Sequence, residues 1–259
     1  MELDVMGLGE PGLEEDPETA GNLVFARYRR VSLGLLCGAF SRGERVLDFG
    51  CGSGLEACYL ALRGLRVIAV DPVPGRVEAT RHRAETLGVS DLVEARVVGP
   101  GRLPVLAGEL GEGSLDGAYS SFGPLNCEEG LGPAAEALGS MLRPGSAFVA
   151  SVMNRICAWE IASSMARLRP GEAFRRLRVL EAHTGGGDVT VRYYDLEEMR
   201  DAFSPWFDLE EARGLAKLPP PSCDGLARHF PGFLDWATGF DPGPLVGLGD
   251  HLFVVMRRR

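Results

Sequence analysis

The stretch VLDFGCGSG, residues 46–54, joins a short apolar run to the beginning of a helical pattern. Its glycines, Gly50, Gly52 and Gly54, permit backbone conformations that other residues avoid and allow a ligand to approach the main chain closely. A strand that ends in glycines and runs into a helix is typical of loops that bind nucleotide-like ligands. Residue 55 is leucine, so the G-x-G-x-x-G spacing of nicotinamide-dependent oxidoreductases is not met.

Strands and helices alternate outward from this loop, which occupies the end of a first predicted strand. Apolar runs predict further strands at 66–71, 92–99, 115–122 and 146–153. Helical patterns lie at about 54–62, 74–88 and 132–142. Strands that are joined by single helices imply right-handed crossovers and a doubly wound, mostly parallel sheet.

The pattern changes beyond residue 154. The sequence predicts an amphipathic helix, then a hairpin that turns at 185–188, and a helix at 195–203 with Asp195 as N-cap and Glu198 in the capping box. Two last strands are predicted at 208–218 and 251–258. The sequence therefore predicts an α/β, Rossmann-like fold with a sheet of seven strands. Insertions after strands 5 and 6 form a helical and hairpin cap.

The chain length of 259 residues suits one large α/β domain. Residues 1–18 are acidic and are predicted to be a flexible tail, while 19–258 form a single domain. The cap insertions span about 155–194 and 219–250, and the second is rich in proline, glycine and aromatic residues. Either a monomer or a homodimer is compatible with the sequence.

Composition restricts the classes of partner. A net charge of −9 argues against nucleic acid, because phosphate binding relies on an excess of lysine and arginine. No apolar run approaches the roughly 18 residues of a membrane span, and the acidic start lacks a signal-peptide pattern. We therefore expect a cytoplasmic protein. The six cysteines form no C-x-x-C pair and no cluster with histidine, so no metal site is predicted.

Two carboxylates restrict which ligand the glycine loop can bind. Asp48 lies beneath the loop, where a negative charge is unfavourable for a pyrophosphate but suits a ligand with an ammonium group. Asp71 ends the second strand and can accept hydrogen bonds from both hydroxyls of a ribose. S-adenosylmethionine has a ribose, a positive amine and no phosphate, and it fits this pair.

From about residue 45 to 258, the chain resembles the class I S-adenosylmethionine-dependent methyltransferases. Four segments carry the resemblance in the family's order, namely VLDFGCGSG, VIAVDP, LDGAYSSFGPLN and LRPGSAFVASV. The resemblance implies a Rossmann-like sheet of seven strands and methyl transfer from S-adenosylmethionine, with S-adenosylhomocysteine as the product.

The resemblance also implies a set of cofactor-binding residues. The glycines of the loop, with Cys51 beside them, would line the methionine moiety, and Asp71 would bind the ribose. Pro72 would lie near the adenine. The segment Ser120, Ser121 and Phe122 would lie under the sulfonium. Tyr28, with Arg29, matches the position from which an N-terminal helix closes over the cofactor carboxylate in this family.

The chain departs from the family in the loop after the third strand, which usually offers an acid to the adenine amino group. Here the loop reads VVGPGRLP and contains no acidic residue. We expect backbone groups around Arg102 and Leu103 to contact the adenine instead.

Methyl transfer needs alignment and water exclusion more than a protein nucleophile, although some acceptors need a base. The catalytic role itself is unassigned by sequence. Candidate bases or polar contacts near the expected acceptor are His183, His229, Tyr193, Tyr194 and Asn154. Ordinary structural roles remain open for each of them.

The aromatic residues of the two insertions favour a small, apolar or aromatic acceptor, although packing within a lid explains them equally well. The hypothesis is therefore a small-molecule methyltransferase. Two alternatives keep the cofactor: a cyclase or lyase that uses S-adenosylmethionine without methyl transfer, and a protein that binds the cofactor without turnover.

Overall fold

The computed structural model describes residues 22–128, 130–184, 187–214, 229 and 246–259, without the side chains of 182–189. The predicted tail at 1–18 and most of the second cap insertion lie outside these residues. The strands of the described chain are β1 Arg45–Phe49, β2 Arg66–Asp71, β3 Val93–Val97, β4 Leu115–Ser120, β5 Leu142–Met153, β6 Leu180–Thr184, β7 Gly187–Val191, β8 Phe207–Gly214 and β9 His251–Arg258.

The α-helices of the described chain alternate with these strands over the first half of the sequence. They are α1 Leu23–Ala39, α2 Leu55–Leu62, α3 Pro74–Thr86, α4 Leu103–Leu110, α5 Leu131–Met141, α6 Ala158–Ala166, α7 Pro170–Ala173 and α8 Leu196–Phe203. Short 3₁₀ turns lie at Pro124–Cys127, Arg175–Leu177 and Val246–Leu248.

The main sheet has seven strands in the order β3-β2-β1-β4-β5-β9-β8. β3, β2, β1, β4 and β5 pair in parallel, and β9 runs antiparallel to both of its neighbours. The predicted α/β, Rossmann-like fold of seven strands is therefore confirmed. Because the chain reverses its order between β1 and β4, their carboxyl ends border a crevice, the usual ligand position in such sheets.

Burial on both faces explains the apolar strands. In β1, Leu47 and Phe49 pack with the core that α4, α5 and α8 cover, whereas Val46 packs on the opposite face beneath α1 and α2. Successive side chains of a strand point to opposite faces, so a central strand must be apolar at both positions. Asp48 interrupts this pattern and is nevertheless buried.

The structure corrects the sequence prediction at three places. The predicted loop at 99–104 ends in helix α4, because proline is tolerated in a first helical turn and Leu106 buries against the sheet. β5 begins at Leu142, four residues before the predicted 146, with a register shift in its pairing to β4. Gly187 and Asp188 belong to β7 rather than to the hairpin turn, since pairing with β6 extends to Gly187.

The first cap insertion comprises α6, α7 and the β6–β7 hairpin, and it is fastened to the carboxyl edge of the sheet. Asn126, after β4, donates from its amide to the carbonyls of Met153 and Arg192. The Arg192 amide donates in turn to the Asn126 carbonyl at 2.8 Å. Helix α8 begins with the predicted capping box of Asp195 and Glu198. Within the described chain, every helix is too short or too polar to cross a membrane.

Candidate functional site

The glycine loop folds tightly against the end of β2. The amides of Gly50 and Cys51 both donate to the Val70 carbonyl, at 2.8 and 2.9 Å. Gly54 is the N-cap of α2 with φ +74°, and a side chain there would clash with the backbone of Thr80 in α3. The loop therefore depends on glycine for close packing between α2 and α3, as well as for access of a ligand.

Asp71 joins this loop to the turn after β2. Its carboxylate accepts hydrogen bonds from the amides of Gly52, at 3.0 Å, and Val73, at 2.9 Å. The Asp71 side chain is 2% exposed, and the Arg76 guanidinium lies 3.7 Å away. A carboxylate has about four lone-pair positions, so these contacts leave capacity for a ligand hydroxyl.

A cavity of about 470 Å³ opens beside these residues. Its lining comes from α1, the ends of β1 and β2, the loop after β3, and the segment after β4. The volume lies within the range of small-molecule sites, about 300–1,000 Å³. It is the crevice that the strand order predicts.

The burial of the Asp48 carboxylate in this cavity is energetically unfavourable while no ligand is bound. It is 1% exposed, and its Oδ2 atom has no hydrogen-bond partner within the described chain. Burial raises the pKa of the Asp48 carboxyl well above its usual range, and the nearby Glu56 raises it further. A cationic ligand group beside Asp48 would relieve this destabilisation, since a buried charge is costly until it is paired.

Arg29 and Glu56 complete the polar end of the cavity. They lie 3.7 Å apart, both nearly fully buried, and both line the cavity. When a carboxylate and a guanidinium lie side by side, the carboxylate can bind the ammonium group of an amino acid and the guanidinium can bind its carboxylate. Glu56 is not among the residues predicted from the sequence, although its place in the first helical turn after the glycine loop is a usable signal.

Phe122 forms the apolar wall opposite the glycine loop. It has φ +62°, and its amide donates to Ser151 Oγ at 2.7 Å. Its ring meets that of Phe25 edge-on at 5.1 Å, and the Arg29 guanidinium lies 5.9 Å from its centre. Phe25 is not among the residues predicted from the sequence; it lies one helical turn before Arg29 on the same face of α1.

The predicted cofactor residues divide into two groups. Those that line the cavity are Asp48, Gly50, Cys51, Gly52, Asp71, Pro72, Ser121 and Phe122. Those that lie outside its lining are Tyr28, Gly54, Arg102, Leu103 and Ser120. Leu103 is fully buried in α4 and Arg102 is exposed, while Val98 and Pro100 line this part of the cavity. Tyr28 is fully buried and its hydroxyl donates to Asp250 at 3.4 Å.

The catalytic candidates whose side chains the structure describes all lie outside the lining of the cavity. The Asn154 amide nitrogen lies within 2.9 Å of the carbonyl oxygens of Ile156, Gly247 and Gly249, so this side chain holds loop backbone together. Tyr193 and Tyr194 are buried, and His229 is exposed. The side chain of His183 lies outside the described part of the structure.

A buried ion network lies behind the Phe122 wall. Arg176 donates to the carboxylates of Glu160 and Asp250, and its guanidinium stacks 5.1 Å from the Tyr193 ring. Asp250 also contacts His251 Nδ1 at 2.9 Å. Burial alone would raise the pKa of the Asp250 carboxyl, but His251 and Arg176 more than offset this effect and hold the pKa well below its usual range.

Donor atoms of Cys157, Glu160 and Asp250 lie within 4.8 Å of one another, a spacing that a metal ion could use. Arg176 already pairs with both carboxylates, and Arg175 pairs with Glu160 as well. The arrangement is therefore an ion network in which arginine side chains supply the positive charge.

The comparisons with known proteins agree with this architecture. Residues 46–145 match the family model of a methyltransferase domain. The ubiquinone biosynthesis O-methyltransferase of Methylocella silvestris is 33% identical over 113 residues, which cover 44% of this chain and 41% of the relative. The ribosomal protein L11 methyltransferase of Aeromonas hydrophila is 35% identical over 101 residues, which cover 39% and 35%. The chain thus spans about two fifths of these relatives' length.

The fold extends beyond the matched segment. A crystal structure of an S-adenosylmethionine-dependent methyltransferase from Mesorhizobium loti superposes with a TM-score of 0.60 at 17% identity, over 91% of this chain and 100% of that one. The similarity in fold therefore extends over most of the chain, well beyond residues 46–145. The strand order, the glycine loop and the match at residues 46–145 support the predicted resemblance to the class I S-adenosylmethionine-dependent methyltransferases.

Proposed function

We propose that this chain transfers the methyl group of S-adenosylmethionine to a small, apolar or aromatic acceptor. The observation that carries the proposal is the cavity, which combines a buried carboxylate, Asp48, whose Oδ2 has no hydrogen-bond partner in the described chain, with the aromatic wall of Phe25 and Phe122. When bound, the cofactor supplies a methyl carbon activated by a sulfonium. The chain's own residues bind, align and exclude water.

The lining offers a place for each part of the cofactor. Asp48 and Arg29 would hold the amino-acid ammonium and carboxylate, and Asp71 would bind the ribose hydroxyls. Phe122 and Met153 would shield the reacting end from water, since both line the cavity near the start of the cap. An apolar shield leaves an apolar acceptor as the best complement.

The free cysteines support a cytoplasmic location for this activity. Cys37, Cys51, Cys58, Cys127 and Cys157 all have free thiols. Unpaired cysteines are typical of a reducing compartment, and we place the activity in the cytoplasm on that basis.

The acceptor class can be tested without knowing the acceptor. S-adenosylmethionine with a tritiated methyl group is incubated with the protein and an extract of the source cells, which is then separated into organic-soluble, protein and nucleic-acid fractions. We expect tritium in the organic-soluble fraction, with S-adenosylhomocysteine formed in equal amount. Tritium in protein or nucleic acid would contradict the proposed acceptor class.

The same reaction separates the alternatives. A lyase or cyclase that consumes S-adenosylmethionine without methyl transfer would release methylthioadenosine instead of S-adenosylhomocysteine, and a binding protein without turnover would leave the cofactor intact. Glu78→Gln, on the outward face of α3 with a side chain 73% exposed, serves as the matched control for variants of the cavity carboxylates.

Asp48→Asn should stabilise the ligand-free protein while weakening cofactor binding. The folded state raises the pKa of Asp48, so between the unfolded value, about 3.9, and the folded value the native protein binds more protons. Stability is therefore lost as the pH rises through this window, and asparagine abolishes that loss. We expect a higher urea midpoint at about pH 8.

Loss of a charged hydrogen bond should weaken S-adenosylmethionine binding about 10- to 100-fold in calorimetric titration of Asp48→Asn. An analogue of S-adenosylhomocysteine without the amino group should bind both proteins alike. Equal losses for the two ligands would show that Asp48 does not face the ammonium.

A further inference from the structure

The first cap insertion buries polar side chains and exposes apolar ones. Glu160, Ser164 and Arg176 are all buried against the rest of the protein. Six large apolar side chains of the same segment are exposed instead, by 40% to 89%, namely Ile156, Met165, Leu168, Phe174, Leu177 and Val179. A surface that faces only water has the opposite arrangement, and a concentration of exposed apolar groups is typical of a surface that binds something.

Leu168 is the clearest case, because neither its backbone nor its surroundings favour leucine. It follows the last turn of α6 with φ +57°, the left-handed conformation that is usually taken by glycine at a helix C-terminus. Leu168 is also 89% exposed. A leucine at this position is unfavourable both in backbone conformation and in contact with water. An apolar environment outside the chain would offset these costs.

Arginines surround these apolar side chains. Residues 165–179 contain five arginines and one glutamate, in a chain whose net charge is −9. Arg167 and Arg169 flank Leu168 in the sequence, and Arg178 follows the 3₁₀ turn after α7; all three arginines are exposed. An apolar surface bordered by arginine complements a lipid surface with anionic headgroups, because the long side chain can bury its stem and keep its charge at the headgroups.

We propose that the outer face of the first cap insertion, residues 165–179, docks on an anionic lipid membrane. Leu168 and its apolar neighbours would enter the boundary between headgroups and acyl chains, and the arginines would pair with lipid phosphates. The cap is fastened to the carboxyl edge of the sheet, which also borders the cavity. Docking would therefore bring the cavity near the phase in which an apolar acceptor dissolves.

Charge favours a membrane over the other surfaces that could cover this face. A second copy of the chain would present the same face to its partner in a two-fold dimer, which would bring the arginines of both copies together. Nucleic acid matches the arginines but provides no apolar environment for Leu168. An anionic membrane satisfies both the charge and the apolar side chains.

Flotation of the full chain with lipid vesicles tests this docking. We expect binding to vesicles of equal parts phosphatidylglycerol and phosphatidylcholine. Binding to phosphatidylcholine alone should be at least about tenfold weaker, since each arginine near an anionic surface contributes about fivefold. Affinity for the anionic vesicles should also fall as salt rises, because salt screens the charges. Equal affinity for the two vesicle types, or binding to neither, would overturn the proposal.

Leu168→Asn should weaken binding to the anionic vesicles about 10- to 100-fold, the scale of burying one leucine side chain. Asparagine tolerates the left-handed conformation better than leucine, so the variant should resist urea at least as well as the unaltered protein. Leu62→Asn, at a leucine 38% exposed in α2, is the matched control and should retain vesicle binding. Full affinity in Leu168→Asn would show that this face does not enter the membrane.

The double variant Arg167→Gln with Arg169→Gln should bind the anionic vesicles about 10- to 30-fold more weakly, with little change for phosphatidylcholine alone. Its control is Arg143→Gln with Arg200→Gln, at arginines 58% and 57% exposed elsewhere on the surface. An equal loss in the two double variants would show that only the overall charge of the protein matters, against a dedicated face.

Sedimentation velocity separates the membrane from a second copy. If the protein forms dimers that Leu168→Asn dissociates, another copy covers this face and the proposal is overturned. Vesicle binding does not require the cofactor, so its absence would leave the proposed methyl transfer intact. Vesicle binding by a protein that transfers no methyl group would contradict the proposed function alone.

Discussion

Gly50→Ala is expected to destabilise the protein by about 2–5 kcal/mol and to weaken S-adenosylhomocysteine binding. Gly50 has φ +89°, and an added Cβ would lie 2.5 Å from Pro124 Cβ and closer still to Cγ. The new methyl group must displace the segment after β4 or the glycine loop, and both line the cavity. Urea denaturation and calorimetric titration measure the two effects.

Gly43→Ala is a close control for backbone strain. Gly43 has φ +91°, almost the same as Gly50, and an added Cβ meets no atom within 4 Å. This variant should lose only the strain of a left-handed backbone, about 1–2 kcal/mol, and keep its affinity. Equal destabilisation of the two variants would show that contact with Pro124 is unimportant and that the loop tolerates a side chain.

Arg176→Met should have a similarly large effect, about 3–5 kcal/mol of unfolding free energy, because it removes the buried guanidinium that pairs with Asp250 and Glu160. Glu160 then retains only its pair with the half-exposed Arg175, and Asp250 its contact with His251. The Arg176 side chain is 7% exposed and also donates to the Asn154 carbonyl at 3.0 Å. Arg169→Met is the control, since Arg169 is 62% exposed in an ion pair with Glu172. Exposed pairs of this kind contribute about 0–1 kcal/mol.

The pH dependence of stability adds a second readout to this prediction. The folded protein lowers the pKa of Asp250, so its contribution is present above the unfolded value, about 3.9, and is lost as the pH falls below it. Without Arg176 the pKa is lowered less, and acid unfolding should begin at a higher pH. An unchanged acid transition in Arg176→Met would contradict a role for Arg176 in holding the Asp250 charge.

The parts of the site that could be predicted are those fixed by local order along the chain. Asp48 and Asp71 could be placed because each lies at or near the carboxyl end of a short buried strand, and adjacent parallel strands bring those ends together. The glycine loop, the capping box of α8 and the existence of the last strand likewise follow from patterns within a few residues.

The parts that could not be predicted depend on distant contacts. Glu128 lies beside Gly101 only because the segments after β3 and β4 meet at one edge of the sheet. Arg176 binds Asp250 across 74 positions of sequence, in an arginine-rich stretch that looks like a solvated surface. Helix α4 lacked a clear polar face, and its existence follows from burial of Leu103 and Leu106 rather than from periodicity.

The Tyr28 hydroxyl bonds the same Asp250 that Arg176 holds from the cap. Helix α1, which carries Phe25 and Arg29 into the cavity, therefore rests on an acid that also anchors the first cap insertion. An acceptor whose binding moves Arg176 would also disturb the contact between Asp250 and Tyr28 that supports α1. Affinities for acceptor and cofactor should then be linked, each ligand altering the other's dissociation constant by the same factor.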